Sequence, residues 1–162
     1  RAPPPMSFDP AAAALLLALA VTAHNVEEMI WLPAFPHPPA LRWDVPARAF
    51  RFAAVVVALV FWAAALALAA GLPAEPVVAG FALAMILNAF VPHLGLIVVL
   101  HRYHPGTATG LLLVVPAACA YLIAVDASNR MQDMAFLAWT AAGLALLAAS
   151  VPLLLTLGKR LG

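Results

Sequence analysis

Charge is the scarcest thing in this sequence. Lys, Arg, Asp and Glu make up 9% of its 162 residues, against 66% hydrophobic residues. A soluble domain is about a quarter charged. So few charges cannot coat a water-facing surface, and lipid must solvate much of the chain. The net charge of +1 offers no basic patch, so no nucleic-acid partner is expected. Cysteine is equally scarce. Cys119 stands alone, which excludes an internal disulfide and a thiolate metal site. It falls in an apolar run and reads as a small packing residue. The sequence also lacks the polar alternation of a membrane β-barrel. No internal repeat or second domain is evident. The Pro-rich leader and first apolar run do not make a convincing signal peptide. Arg1 is the only basic residue ahead of the run, which continues into His24 and Glu28.

What the sequence has is five long apolar runs. A bilayer core needs about 20 such residues per helix. The expected fold is all-α, a polytopic membrane bundle of about five helices forming one domain over 1–162. The helices are expected at roughly 10–32, 47–70, 76–101, 106–125 and 134–157. Asp9 and Pro10 suit an N-cap and first helical position. Segment 33–46, with Pro33, Pro36, Pro38, Pro39, Pro46 and Trp43, reads as a stiff interfacial loop containing a surface His37. Alternating helices put Arg42, Arg48, Arg51, Arg102, Lys159 and Arg160 on one side, against Arg1 and Arg130 on the other. That asymmetry predicts an outside N-terminus and a cytoplasmic C-terminus.

Ionisable residues inside the runs are few. Helix 2 has none from Phe52 to Ala70, and helix 5 offers only Thr140, Ser150 and Thr156 as polar groups. Helix 4 is nearly as plain. Polar function is therefore expected on helices 1 and 3 and on the loop between helices 3 and 4. His24, Glu27 and Glu28 are spaced i, i+3 and i+4, which at about 100° per residue puts both carboxylates within about 60° of the histidine. An imidazole and a carboxylate one turn apart suit one metal ion or one exchanged proton. Acids at this depth are costly and need partners. The plainer reading is an interfacial helix end with snorkelling acids.

Depth supplies a partner. At about 1.5 Å per residue, Glu27, Glu28 and His93 each lie about 25 Å along parallel helices 1 and 3. Asn88 is placed to bond a ligand or fix a tautomer. Pro92 removes a backbone donor, so a kink beside His93 is expected. His101, Arg102, Tyr103 and His104 follow at the interface, and Pro105-Gly106 enforces a turn. Gly106 and Gly110 form a small-xxx-small pair that lets a helix approach closely.

Together, His24-Asn25-Val26-Glu27-Glu28, a further histidine at His93 or at His101, and Tyr103-His104-Pro105-Gly106 resemble the HXXEE family of small bacterial membrane proteins. The resemblance covers roughly residues 20–110. It implies a small polytopic protein integral to the bacterial cytoplasmic membrane and no particular reaction.

The residues themselves point first to a membrane-embedded metalloenzyme, a hydrolase or oxidoreductase, working near the cytoplasmic face. His24, Glu28 and His93, with His101 as a further ligand, would hold one zinc or iron ion. Three ligands and an open position suit zinc, and two histidines with a carboxylate suit non-haem iron. Glu27 or Glu28 would act as base and Tyr103 as a catalytic hydroxyl. Asn88 and His104 would support the ligands from behind. The substrate would be lipid-like or otherwise hydrophobic and would enter sideways between helices. One alternative is a metal-free isomerase or cyclase, in which a buried glutamate gives a proton and His24 or His93 takes it back. Another is a non-catalytic accessory subunit of a membrane complex, binding a lipid, a pigment or partner helices. Membrane lipids are the expected surroundings, and a homo-oligomer fits any of these readings.

Overall fold

Asp9 opens the first helix, its carboxylate accepting from the backbone N–H of Ala11 and Ala12 at 3.3 and 3.2 Å. The computed structural model describes residues 9–36 and 45–161. Helix α1 runs Pro10–Trp31 and continues as a 3₁₀ turn, Leu32–Ala34. It is followed by α2, Ala47–Ala69, α3, Glu75–Leu100, α4, Thr107–Asp126, and α5, Met134–Arg160. All five are long and apolar enough to cross a membrane, and no strand occurs among the described residues. Helices suit such a chain because lipid offers no partners for backbone groups. Of the expected interfacial loop, residues 37–44 lie outside the described residues, and His37, Arg42 and Trp43 with them.

The helices close a ring in the order α1, α2, α5, α3, α4. Leu17, Val21, Phe61, Val78, Val114 and Tyr121 fill its core, and Phe61 stacks on Phe81 with centroids 4.6 Å apart. Polar ties join the helices as well. Trp62 Nε1 donates to Thr22 Oγ1 at 2.9 Å, and Asn25 Nδ2 to the Ala54 carbonyl at 3.2 Å, both between α1 and α2. Large side chains such as Leu59, Val98, Leu112 and Leu146 face outward, as lipid contact permits. Cys119 faces outward too. The packing role expected for it is not found, because α4 turns Ala117, Ala118 and Tyr121 to the core instead.

Helix α5 touches its neighbours at two close crossings. A Cβ on Gly80 of α3 would lie 2.8 Å from the Leu144 nitrogen, and one on Gly158 of α5 would lie 2.7 Å from the Ala49 Cα of α2. α5 is therefore pinned to α3 early in its length and to α2 near its end.

Two helices carry a π turn, over Ala89–Leu94 in α3 and over Gly110–Val114 in α4. The first contains Pro92. Having no N–H, Pro92 cannot close the ordinary bond to Asn88, and the chain takes a wider turn in place of a sharp kink. The two π turns pack against each other, beside the polar cluster of α1.

Candidate metal centre

His24 is buried on α1, and around it the structure sorts the two glutamates into different jobs. Successive residues point about 100° apart on a helix, so Glu27 faces α4 while Glu28 faces α3. Glu27 accepts from Gly106 N–H at 3.0 Å, Thr109 N–H at 3.3 Å and the Thr109 hydroxyl at 2.6 Å. It also accepts from the Tyr103 hydroxyl. A carboxylate from α1 thus caps the start of α4, where free N–H groups favour negative charge. Burial, and then its bond to Glu27, raises the Tyr103 phenol above its ordinary range, so it stays a donor at neutral pH.

Glu28 faces the other way. Its Oε1 lies 3.0 Å from His93 Nε2, and its Oε2 lies 3.7 Å from His24 Nε2. The Asn88 amide nitrogen lies 3.2 Å from His24 Nε2 and 3.1 Å from His93 Nε2. Asn88 and His93 are five residues apart, about 140° around an α-helix. The π turn between them, with its i→i+5 repeat, brings them to one side. His24, Glu28 and His93 each offer an atom within 4.8 Å of the others. Ligands about 2.1 Å from a tetrahedral ion stand about 3.4 Å from each other, and the two Glu28 separations bracket that value.

Hydrogen positions follow from the partners. A carboxylate oxygen only accepts, so Thr109 donates to Glu27 and accepts from His24 Nδ1–H at 3.1 Å. His24 therefore turns the lone pair of Nε2 inward. The Pro105 carbonyl, 3.0 Å from His104 Nδ1, also only accepts, so that nitrogen carries a hydrogen and His93 Nδ1, 3.2 Å away, accepts. The hydrogen of a neutral His93 then sits on Nε2, aimed at Glu28. Under this pattern the Asn88 amide cannot serve both rings. Its NH₂ suits His24 and its oxygen suits His93, yet one atom faces both. Donation from Asn88 to His24 Nε2 and from His93 Nε2–H to Glu28 is the arrangement these partners allow.

The structure does not bring every expected residue to this centre. His101 ends α3 in the left-handed region, with φ 51°, and is exposed. The chain reverses there and carries its ring away, so the ligand role expected of it is not supported by position. Tyr103 is half exposed and reaches Glu27, not the His24–Glu28–His93 group. Glu27 is held by α4, which removes it from the shared face expected of the two acids. His104 is buried behind His93, in a supporting position.

Thr109 and Asn25 carry no distinguishing sequence signal. Thr109 is one of two threonines in a short polar stretch, and Asn25 is hidden by the motif around it. Gly106 does carry one, in Pro105-Gly106. It has φ +90°, and a Cβ there would meet His93 Cε1 at 2.5 Å and His24 Cε1 at 3.0 Å. Only glycine fits against both rings. Gly110 lets α4 approach, with Ala89 Cβ 3.3 Å from where its own Cβ would be.

Beside the centre lies a cavity of about 550 Å³ among α2, α3 and α5, with Glu28, Asn88, His93 and His104 at its polar end.

Among known proteins, the chain matches a family model described as a protein of unknown function with HXXEE motif, over residues 15–121. It is 31% identical over 145 residues to the uncharacterized protein YrkK of Bacillus subtilis (strain 168), spanning 87% of this chain and 92% of that relative. No solved structure matches it. The matched stretch holds His24, Glu27, Glu28, His93 and the Tyr103–Gly106 turn, and the chain belongs to the HXXEE family.

Proposed function

We propose that this chain is a membrane-embedded, metal-dependent enzyme acting on hydrophobic substrates, with His24, Glu28 and His93 as the ligands of one zinc or iron ion. The observation that carries this reading is the convergence of His24 Nε2, His93 Nε2 and the Glu28 carboxylate, with Glu28 oxygens 3.0 Å from His93 and 3.7 Å from His24. A bound ion would supply Lewis acidity at the polar end of the cavity. Glu27, through Thr109, orients the His24 ring, in the manner of the carboxylates that commonly stand behind metal-binding histidines. Asn88 bridges the two rings, and Gly106 lets the turn close over them. The same reading puts the protein in the bacterial cytoplasmic membrane, its N-terminus outside and the centre near the cytoplasmic face. Lipids are its surroundings and the source of its substrate.

The test is metal content by mass spectrometry on protein purified in detergent without chelators. One ion per chain is expected, lost in His24→Ala and retained in His101→Ala. Protein that neither carries zinc or iron nor takes either up on reloading would discard the reading.

A second reading is favoured by one specific observation. The His104–Pro105 contact gives His93 a hydrogen on Nε2, which makes a sound 3.0 Å bond to Glu28 without any ion. An ion there would move that hydrogen to Nδ1 and require His104 to turn. A metal-free acid–base enzyme uses the pair as it stands. Turnover of a hydrophobic substrate that survives exhaustive chelation but not Glu28→Gln would favour this second mechanism.

A further inference from the structure

Building on the enzymatic reading of the centre, we propose that the cavity takes a single-chain lipid with a small uncharged, oxygen-bearing head and discriminates against phosphate-bearing lipids. Its shape comes from the course of α5. Between its close approach to α3 at Gly80 and to α2 at Gly158, α5 lines the cavity with Leu147, Ala148 and Val151. Leu87 and Val91 of α3 and Val151 of α5 both line it and are exposed on the outside of the bundle. They mark a mouth that opens sideways, toward hydrocarbon.

Size limits the occupant. At about 30 Å³ per water-sized group, the 550 Å³ space holds on the order of 18 non-hydrogen atoms. That is one chain of ordinary length, and a two-chain phospholipid does not fit within it.

Polarity limits the head. Among the described residues, no lysine or arginine lines the cavity. Arg51 donates to the Met29 carbonyl at 3.1 Å, and Arg102 to the Pro36 carbonyl. Asn25 is spent on the Ala54 carbonyl. Besides Asn25, the polar groups that line the cavity are the Asn88 amide, the imidazoles of His93 and His104 and the carboxylate of Glu28. A phosphate brings several charged oxygens and would bury most of them without partners. A hydroxyl, aldehyde or ester oxygen needs only one.

The test uses the purified full chain in detergent, with tritium-labelled hexadecanol as probe. Hexadecyl phosphate, hexadecyltrimethylammonium and dioleoylphosphatidylcholine serve as competitors. Hexadecanol is expected to bind once per chain, with or without metal, because the buried chain supplies most of the affinity. All three competitors are expected to be about tenfold weaker or worse. Ala148→Trp, which fills the cavity from α5, should weaken hexadecanol binding about tenfold, and Leu146→Trp, on the outer face of the same helix, should not. Equal or tighter binding of any charged competitor overturns the proposal. So does hexadecanol binding that survives Ala148→Trp, or that falls equally in both variants. Metal measured on the same preparations separates the two ideas. Protein that binds hexadecanol but no metal keeps the cavity assignment and loses the metal reading, and protein that binds metal but no hexadecanol does the reverse.

Discussion

Glu27 and Glu28 carry the same side chain, but their neighbours give them opposite tasks. Glu27 accepts from four protein donors and holds α4, whereas Glu28 faces the imidazoles of His24 and His93. Their amides should therefore fail differently. Glu28→Gln should abolish metal retention with little change in thermal unfolding. Glu27→Gln should retain metal but lose about 1.5 kcal/mol of stability, the scale of a hydrogen bond to a charged group, read by unfolding in detergent. Gly106→Ala should cost about 1–3 kcal/mol by overpacking against His93 and His24, and should lower metal occupancy because both rings must shift. His24, Glu28 and His93 are legible from the sequence, since helical spacing fixes direction and helix rise fixes depth. The destination of Glu27 is not. Periodicity gives the side of a helix but not which neighbour fills it, and Thr109 is a lone hydroxyl with no pattern around it.

At the scale of elements, the hydropathy runs give five helices, and the structure places them within a few residues of the expected ends. The π turns are only half legible. Pro92 announces a disturbance in α3, but a proline predicts a kink as readily as a wide turn. The consequence is functional, because only the wide turn brings Asn88 and His93 to one side. Pro92→Ala restores the missing N–H and should let α3 relax toward a regular helix. Lower metal occupancy is expected, with unfolding unchanged or raised to a slightly higher temperature, since an interior proline costs a helix about 3 kcal/mol. Mass spectrometry and a melting curve on one preparation check both halves of that outcome.

For the whole molecule, composition dictates a membrane bundle, but no local pattern dictates the ring order that sets α5 between α2 and α3. That order includes close approaches at Gly80 and Gly158, which a sequence displays only as isolated small residues. The sidedness read from basic residues has a direct check in a Cys119→Ala background. A cysteine at Ser128 should react with a membrane-impermeant maleimide in intact cells, and one at Lys159 should react only after lysis. The family model ends at residue 121 and covers the His24–Glu28–His93 cluster, while the likeness to YrkK spans 87% of the chain and so runs on into α5. The fifth helix thus walls the cavity whose polar end comes from α1, α3 and the turn into α4. If the cavity takes a lipid chain as proposed, exchanging α5 between relatives should change the chain length it accepts and leave the His24–Glu28–His93 cluster in place.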